Sequence, residues 1–376
     1  MDSAGLYIHI PFCRKACSYC DFHFTVNQKN RAQICDALVS EMVLWKEDWC
    51  NYHFQTLYFG GGTPSILNSD ELSAVVNGAK SNFSWGDEVE FTLEINPEDV
   101  TLEKLHSWKE LGVNRLSIGL QAFQDEILTW MNRAHSAEEG LRAVRLAQEV
   151  GFDNISVDLI YGIPGLTHSQ WEENLTKVLE LNIQHVSCYC LTVEEKTKLE
   201  QMVKNGELTM PEDEVSTTQF DMLSSFFEGN GFNHYEISNL GKPGKESKHN
   251  SNYWNGVPYL GIGPSAHSYR KGKRWWNPAS NALYQKEISK GNLPNEIEIL
   301  SETDAFNEKI MTGLRRKDGV SVHLWLESGE SPKNILQNSV INELYREGMI
   351  SLSRDRLSLT QKGRHLADGI AAKLFR

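Results

Sequence analysis

Three cysteines near the N-terminus are spaced so that one short loop could hold an iron–sulfur cluster. Cys13, Cys17 and Cys20 follow the pattern C-x3-C-x2-C within residues 11–22. A [4Fe-4S] cluster normally carries a cysteine thiolate on each iron. Three thiolates therefore leave one iron with an open coordination position, where an outside molecule could bind and react.

Other uses of clustered cysteines fit this spacing less well. Structural zinc sites take four protein ligands in paired C-x2-C type spacings, and no second Cys or His pair lies close by in the sequence. The remaining four cysteines form no framework for disulfides. Cys35 lies in a helical pattern and is expected in the core. Cys188 and Cys190 alternate along an apolar strand, where small buried side chains are expected.

A run of three glycines, residues 60–62, indicates which molecule could occupy the open iron. A substrate could bind there directly, as in a hydratase, or S-adenosylmethionine (SAM) could bind through its amino and carboxylate groups. Glycines let the backbone approach a ligand and present N–H donors, which favours SAM. Glu94, Arg133 and Asp158 could hold its other polar atoms. Taken alone, each of these three residues is better interpreted as a salt-bridge partner or a strand-end cap.

The elements that would position these residues alternate between strand and helix. Repeated βα units of this kind are typical of a parallel sheet. The predicted strands are residues 6–11, 56–59, 90–95, 115–120, 155–161 and 185–191. The predicted helices include residues 31–45, 70–79, 102–111 and 140–150. Capping boxes at Ser136 with Glu139 and at Thr167 with Gln170 predict two further helix starts.

Polar residues cluster at one end of these predicted strands. The cysteine loop follows the first strand and the glycine run follows the second. The third strand ends near Glu94, the fourth at Gln121, and the fifth carries Asp158. Because the carboxyl ends of the strands form one face of a parallel barrel, and that face holds the active site, these separated signals predict a single site.

Composition sets the broader limits. At 376 residues, the chain suits two domains of about 150 residues each. Its net charge of −13 argues against a protein built to coat nucleic acid, which needs concentrated Lys and Arg. The first residues do not resemble a secretory signal, and no stretch is long enough to span a membrane. A cytoplasmic location is expected, because clustered thiols stay reduced there.

The C-terminal part of the chain differs from the rest. Residues 241–300 are rich in Gly and aromatic residues, which indicates loops and a surface for a flat ligand.

Residues 301–376 carry 12 Lys and Arg against 10 Asp and Glu, and two short apolar strands flank the run Arg354-Asp355-Arg356. This order resembles a winged helix, expected to act as a lid or docking domain. A nucleic-acid-binding regulator is the alternative, although the basic excess is small.

Long ordered motifs resemble the radical SAM superfamily and, more closely, the oxygen-independent coproporphyrinogen III oxidase family and its heme-chaperone relatives. These motifs are GLYIHIPFC at 5–13, FGGGTPS at 59–65, EINP at 94–97, NRLSIGLQAF at 114–123, NR at 132–133 and DLIYGIP at 158–164. The resemblance implies an α/β fold in which residues 1–240 form a partial (β/α)6, TIM-like radical SAM barrel. A C-terminal helical, winged-helix-like domain would follow at residues 301–376.

The same resemblance implies the cofactors and their ligands. A [4Fe-4S] cluster would lie on Cys13, Cys17 and Cys20. The implied SAM contacts are Tyr7, Tyr19, Gly61, Glu94, Gln121, Arg133 and Asp158, and the second SAM found in the oxidase would add Gly62 and Thr63. An electron donor would reduce the cluster, and cleavage of SAM would give a 5′-deoxyadenosyl radical. The sequence leaves open whether SAM is cleaved or only bound, and we assign no catalytic residue.

Three features favour the chaperone over the oxidase. The oxidase has a further cysteine where this chain has Phe22, and it has a longer N-terminal extension. The run 249–254 matches H-N-x-x-Y-W, the heme-binding motif of the chaperone. The implied heme contacts within the segment 241–300 are His249, Asn250, Tyr253 and Trp254. Imidazole is a common axial ligand of heme iron, and aromatic rings suit a flat macrocycle.

The resemblance thus implies a heme chaperone that binds heme and transfers it to acceptor hemoproteins. Respiratory, membrane-associated hemoproteins are one expected class of acceptor, and no nucleic-acid partner is expected. Radical SAM oxidation of coproporphyrinogen III is the alternative function, and regulation through nucleic-acid binding is the second.

Overall fold

Six parallel strands and the helices that follow them make up the first half of the chain. The computed structural model describes residues 2–326 and 331–376. The strands are β1 (Asp2–Ile10), β2 (Tyr52–Gly61), β3 (Ser84–Ile95), β4 (Arg115–Gln121), β5 (Ile155–Tyr161) and β6 (His185–Cys190). The helices are α1 (Arg31–Trp45), α2 (Ser69–Asn82), α3 (Leu102–Leu111), α4 (Asp125–Trp130), α5 (Ala137–Glu149), α6 (His168–Glu180), α7 (Lys198–Lys204) and α8 (Asp213–Gly229). The predicted strands and helices are confirmed, although β1 to β3 begin several residues earlier than predicted.

Local sequence explains where two of these helices start. The side chain of Ser136 accepts a hydrogen bond from the backbone N–H of Glu139, and Glu139 bonds back to the N–H of Ser136. Thr167 and Gln170 form the same reciprocal pair. Both predicted capping boxes are confirmed, so α5 and α6 begin as these sequence signals indicate.

The sheet keeps the six strands in chain order, as in a partial barrel. Each of β1 to β5 pairs in parallel with the next strand. Their apolar residues face outward and are buried under the helices; examples are Leu6, Leu57, Leu93, Leu116 and Val157. The alternate positions point inward and are largely polar, namely Thr56, Tyr58, Thr92, Arg115, Ser117, Ser156, Asp158 and His185. A buried polar interior of this kind must be hydrogen-bonded or face a ligand.

The segment 241–300 adds strands to this sheet. After β7 (Asn233–Glu236) and β8 (Asn239–Gly241) come α9 (Lys248–Trp254), β9 (Tyr259–Ile262), β10 (His267–Arg270), β11 (Lys273–Trp276), α10 (Asn281–Ile288) and β12 (Glu296–Ile299). Strand β9 pairs in parallel with β1, and β10 to β12 continue the sheet antiparallel, giving the order β12-β11-β10-β9-β1-β2-β3-β4-β5-β6-β8-β7. The prediction of loops was therefore wrong, because backbone pairing with β1 overrides the high glycine content.

The C-terminal segment builds a second, smaller core. Its elements are α11 (Glu302–Leu314), β13 (Val320–Ser321), α12 (Ser339–Arg346), β14 (Ile350–Ser353), β15 (Arg356–Leu359), α13 (Gln361–Arg364) and α14 (Ala367–Lys373). The strand order β13-β15-β14 and the hairpin through Arg354 and Asp355 form the predicted winged-helix-like arrangement.

This core touches the barrel side through Ile237, which packs against both apolar clusters. The predicted domain bounds and the lid role stay predictions, and residues 1 and 327–330 of those domains lie outside the described residues. Across residues 2–326 and 331–376, we find no helix with the length and apolar character needed to cross a bilayer.

Candidate iron–sulfur and cofactor site

The cysteine loop follows β1 and is tied to neighbouring segments by backbone contacts. The N–H of Cys13 donates to the carbonyl of Thr25 at 3.1 Å, and the N–H of Ser18 donates to Met131 at 3.2 Å. The amide of Asn132 donates to the carbonyl of Ala16 at 2.7 Å. These bonds hold the loop over the carboxyl ends of the strands, as the sequence predicts.

The three thiols are free and half-buried, and two of them receive hydrogen bonds. The hydroxyl of Thr63 lies 3.4 Å from the sulfur of Cys13, and a guanidinium nitrogen of Arg133 lies 3.4 Å from that of Cys17. Burial raises the pKa of Cys13 to about 11 and that of Cys20 to about 12. Metal binding would therefore displace thiol protons, and the two donors would remain to stabilise bound thiolates.

The three free thiols line one cavity, where they could act as ligands of a metal group. Among residues 2–326 and 331–376, no three Cys, His, Asp or Glu side chains converge closely enough to chelate a single metal ion. In a [4Fe-4S] cluster each cysteine binds a different iron, so its ligands stand further apart. The three free thiols around one cavity fit that requirement.

The glycine turn forms a close-fitting wall of the same cavity. Gly61 has φ +110°, and a Cβ there would lie 2.7 Å from the ring of His9. A Cβ on Gly62 would lie 2.6 Å from the carbonyl of Phe12. Only glycine can therefore bring this backbone beside the cysteine loop.

The glycine turn has fewer free backbone N–H donors than its sequence predicts. The N–H of Gly62 already donates to the carbonyl of Ile10 at 2.8 Å, and the backbone of Gly61 already bonds to Glu94. The prediction that these N–H groups face a ligand is therefore wrong for Gly61 and Gly62, because Glu94 and the carbonyl of Ile10 already accept their hydrogen bonds. The role of the turn is thus close approach of the backbone.

Glu94 and Asp158 supply carboxylates at the inner wall. The hydroxyl of Tyr58 donates to Glu94 at 2.7 Å, and that of Ser117 donates to Asp158 at 3.1 Å. Burial raises the pKa of Glu94 to about 7 and that of Asp158 to about 6. The positive charge of Arg115 opposes both shifts. Two carboxyl groups with pKa values near neutrality are therefore held at one site, as is common where ligands bind.

Arg133 and Gln121 also line the cavity. Hydrogen bonds hold the Arg133 side chain there, and a left-handed backbone conformation places Gln121. The Arg133 guanidinium donates to Asn96 Oδ1 at 2.7 Å and to the carbonyl of Gly119 at 2.9 Å. Gln121 has φ +68°, and the register between β4 and β5 shifts between Gly119 and Gln121. A left-handed conformation is uncommon for a non-glycine residue, and here it turns the end of β4 at the cavity.

The cavity itself brings together most of the predicted residues. Its volume is about 430 Å³, within the range of roughly 300–1,000 Å³ common for small-molecule sites. The predicted residues that line it are Cys13, Cys17, Tyr19, Cys20, Gly61, Gly62, Thr63, Glu94, Gln121, Arg133 and Asp158. Tyr7 and the motif residues 249–254 do not line it. The sequence did not single out Asn96, Ser117 or Tyr189, which also line it; strict alternation along β4 and β6 could have indicated the last two.

The H-N-x-x-Y-W motif forms α9, and its histidine points into the barrel. His249 is 2 % exposed, whereas Asn250, Tyr253 and Trp254 are half-buried. The ring of Trp254 lies 5.4 Å from the guanidinium carbon of Arg315, in the C-terminal segment. The motif is therefore a short helix between the barrel interior and the C-terminal core, with most of its accessible surface on residues other than His249.

One prediction follows from the carboxylate wall. An ionised Glu94 only accepts hydrogen bonds, which suits a ribose hydroxyl or amino group. We therefore expect the SAM dissociation constant of the cluster-reconstituted protein to fall as pH rises from about 6 to about 8, because Glu94 loses its proton in this window. Equilibrium dialysis with radiolabelled SAM measures this effect. Glu94→Gln is the control, since it removes the part of the pH dependence that comes from this carboxylate. An unchanged pH profile in that variant would rule out the role given to Glu94.

Known proteins share both parts of this architecture. The radical SAM superfamily profile matches residues 7–178, and the HemN C-terminal domain profile matches residues 300–366. The solved structure of coproporphyrinogen III oxidase (HemN) from Escherichia coli superposes with a TM-score of 0.83 at 23% identity, covering 100% of this chain and 90% of that one. This likeness shows that the two chains have the same fold.

Proteins of similar sequence show which family within this superfamily the chain belongs to. The heme chaperone HemW of Bacillus subtilis is 34% identical over 97% of this chain and 97% of its own length. The heme chaperone HemW of Lactococcus lactis is 33% identical over 98% of this chain and 96% of its own. Such similarity along nearly the whole length, combined with the cysteine triad and the radical SAM barrel, shows that the chain belongs to the HemW family of the radical SAM superfamily.

Proposed function

We propose that this protein is a heme chaperone that binds heme and transfers it to acceptor hemoproteins. The observation that carries this proposal is the full-length similarity to proteins named as heme chaperones. The placement of the H-N-x-x-Y-W motif supports it, because α9 packs against the same barrel whose other end holds the cysteine loop. Heme binding and the cluster site would thus share one scaffold.

We propose that Cys13, Cys17 and Cys20 hold a [4Fe-4S] cluster and that SAM lies in the adjoining cavity. When bound, these groups would supply one-electron reduction and an open iron position. The protein's own contribution would be orientation and charge. Arg133 would stabilise the Cys17 thiolate, and Glu94 would accept hydrogen bonds from the cofactor. The proposed SAM contacts also include Tyr19, Gly61, Gly62, Thr63, Gln121 and Asp158, with Tyr7 acting from behind the cavity wall.

For heme, we propose contact through α9. Asn250, Tyr253 and Trp254 are half-buried, and they combine an amide with two aromatic rings suited to the face or edge of a macrocycle. Both ring nitrogens of His249 are engaged with neighbouring hydroxyls. Iron ligation by His249 would therefore require the imidazole to leave these partners, so we propose that heme first contacts the more accessible side chains of α9.

Phe22 favours the chaperone over the oxidase. It is 66 % exposed and lines the rim of the cofactor cavity, where the oxidase pattern has a further cysteine. We therefore do not assign oxidation of coproporphyrinogen III.

The proposed partners are heme, acceptor hemoproteins such as respiratory membrane-associated ones, and an electron donor. We place the protein in the cytoplasm, because its seven cysteines are all unpaired thiols and such thiols persist in reducing compartments.

A heme titration tests this proposal. We expect hemin added to the anaerobically reconstituted protein to give a saturable Soret absorbance change, and we expect Trp254→Ala to weaken binding about tenfold by removing a large aromatic contact. Trp85→Ala is the matched control, since Trp85 is also half-buried but lies on β3. Absence of saturation in the unmodified protein, or equal weakening by both variants, would contradict heme contact at α9.

A further inference from the structure

Helix α9 is anchored inside the barrel by a carboxylate from β3. The side chain of Glu90 accepts hydrogen bonds from the backbone N–H groups of Lys248 at 3.0 Å and His249 at 2.9 Å. Glu90 is matched in register to Thr56 on β2, which is matched to Gly5 on β1. All three positions precede Glu94 and the cysteine loop along their strands. Helix α9 therefore packs behind the cofactor cavity, on its amino-terminal side.

The side chain of His249 is held by barrel residues and by Tyr253 of its own helix. Its Nδ1 lies 2.7 Å from the hydroxyl of Thr56, and its Nε2 lies 3.0 Å from the hydroxyl of Tyr253. Its ring stacks on that of Tyr58, with centroids 4.9 Å apart and planes at 26°. The ring of Tyr7 stacks on both of these rings. Its centroid lies 6.4 Å from that of His249 and 6.0 Å from that of Tyr58. A cation or iron atom has no free nitrogen to bind here.

Tyr58 links this stack to the cofactor cavity. Its hydroxyl donates to Glu94 Oε1 at 2.7 Å, and Glu94 lines the cavity whereas Tyr58 and His249 do not. The ring of Tyr58 has His249 on one part of its surface and Tyr7 on another. The stacked rings restrict how Tyr58 can turn, and its hydroxyl acts with the backbone of Gly61 to orient the Glu94 carboxylate.

We propose that His249 is a positioning residue for the cofactor cavity: it holds Tyr58, and Tyr58 orients Glu94 toward SAM. The heme-motif histidine thus serves the SAM site in the heme-free protein, in addition to any role toward heme. This inference rests on the proposed contact between Glu94 and SAM. It connects α9 to the cavity through one stacked ring and one hydrogen bond, with no requirement for heme.

The expected effects differ between truncation and conservative replacement of His249. His249→Ala removes the stacked ring and leaves space for Tyr58 to turn, whereas His249→Phe keeps a planar ring of similar size. Tyr58→Phe removes the hydrogen bond to a charged group. We expect Tyr58→Phe and His249→Ala each to raise the SAM dissociation constant about tenfold, and we expect His249→Phe to restore most of the lost affinity.

The test is SAM binding to the full-length, cluster-reconstituted protein, measured by equilibrium dialysis. Tyr269→Phe is the matched control, because Tyr269 stacks on Tyr259 in the same aromatic region but makes no contact with Glu94. Combining Tyr58→Phe with His249→Ala should cost little more than either change alone, since both act on the same carboxylate. The midpoint pH for SAM binding should also rise in both single variants, because the Tyr58 hydroxyl lowers the pKa of Glu94.

Two results would overturn the inference in distinguishable ways. If Glu94→Gln leaves SAM affinity unchanged, the proposed cofactor contact fails and the positioning role fails with it. If Glu94→Gln weakens binding but Tyr58→Phe and His249→Ala bind SAM like the unmodified protein, only the positioning role is wrong. Should His249→Ala not fold, His249→Leu replaces it, because it fills the same space without a stacked ring; SAM affinity equal to that of Tyr269→Phe would then refute the positioning role.

Discussion

Replacing Cys13, Cys17 or Cys20 with alanine is expected to remove the iron–sulfur cluster. The loop supplies only three thiolates, and each would bind a different iron of the proposed cluster, so loss of one would leave two irons without a protein ligand. Anaerobic reconstitution of each variant should lower the iron content from roughly four per chain to roughly none. The broad absorbance near the visible–ultraviolet boundary should disappear with it. Iron and acid-labile sulfide analysis measures the effect directly.

Cys190→Ala provides the control for this experiment. Cys190 lines the same cavity and is a free thiol, but it lies at the end of β6, away from the cysteine loop. Its replacement should leave the iron content unchanged. Full iron content in Cys17→Ala, or equal loss of iron in Cys190→Ala, would contradict the assignment of the three loop cysteines as the ligands.

Replacing Glu41 with alanine is expected to cause the largest loss of stability. Glu41 is fully buried on α1 and accepts hydrogen bonds from four donors. These are the backbone N–H of Gly263, the Asn277 amide, the Tyr284 hydroxyl and the Trp45 indole. Because each buried donor left without a partner costs about 1–3 kcal/mol, the free energy of unfolding should fall by more than about 3 kcal/mol. Urea unfolding of the metal-free protein measures this loss.

The same carboxyl group makes stability depend on pH. Burial raises the pKa of Glu41 from 4.5 to about 7, so between these values the folded chain binds more protons at this group than the unfolded chain. The contribution of Glu41 to stability therefore falls as pH rises through that window. Glu41→Gln should remove this dependence of the free energy of unfolding on pH.

Glu47→Ala, an exposed change near the end of the same helix, is the control for Glu41→Ala. It should alter the free energy of unfolding by less than about 0.5 kcal/mol; an equal effect in both alanine variants would refute the role of Glu41.

Part of the candidate site could be predicted from the order of strands and loops along the chain. Glu94 and Asp158 lie in parallel strands whose carboxyl ends must meet, and the cysteine and glycine runs follow strands in the same way. These residues line one cavity together with Tyr19 and Thr63, which only the family resemblance indicated. Tyr58 was missed because a tyrosine inside a strand looks like an ordinary core residue, and only the pairing of β2 with β3 places it beside Glu94.

The prediction was weaker where distant segments meet. The segment 241–300 looked like loops, but pairing of β9 with β1 turns it into sheet. The motif does not indicate that His249 lies inside the barrel, where Glu90 and Thr56 bond to it from strands more than 150 positions away; its heme contact stays a prediction. Sequence spacing carries no information about such contacts. The motif indicates which residues act together but not which way they face.

One anaerobic assay distinguishes heme binding from porphyrin oxidation. The reconstituted, reduced protein is supplied with SAM and offered hemin in one portion and coproporphyrinogen III in a parallel portion. We expect saturable heme binding in the first portion and no protoporphyrinogen in the second. Formation of protoporphyrinogen together with no saturable heme binding would contradict the proposed chaperone function and would assign the radical SAM barrel to porphyrin oxidation.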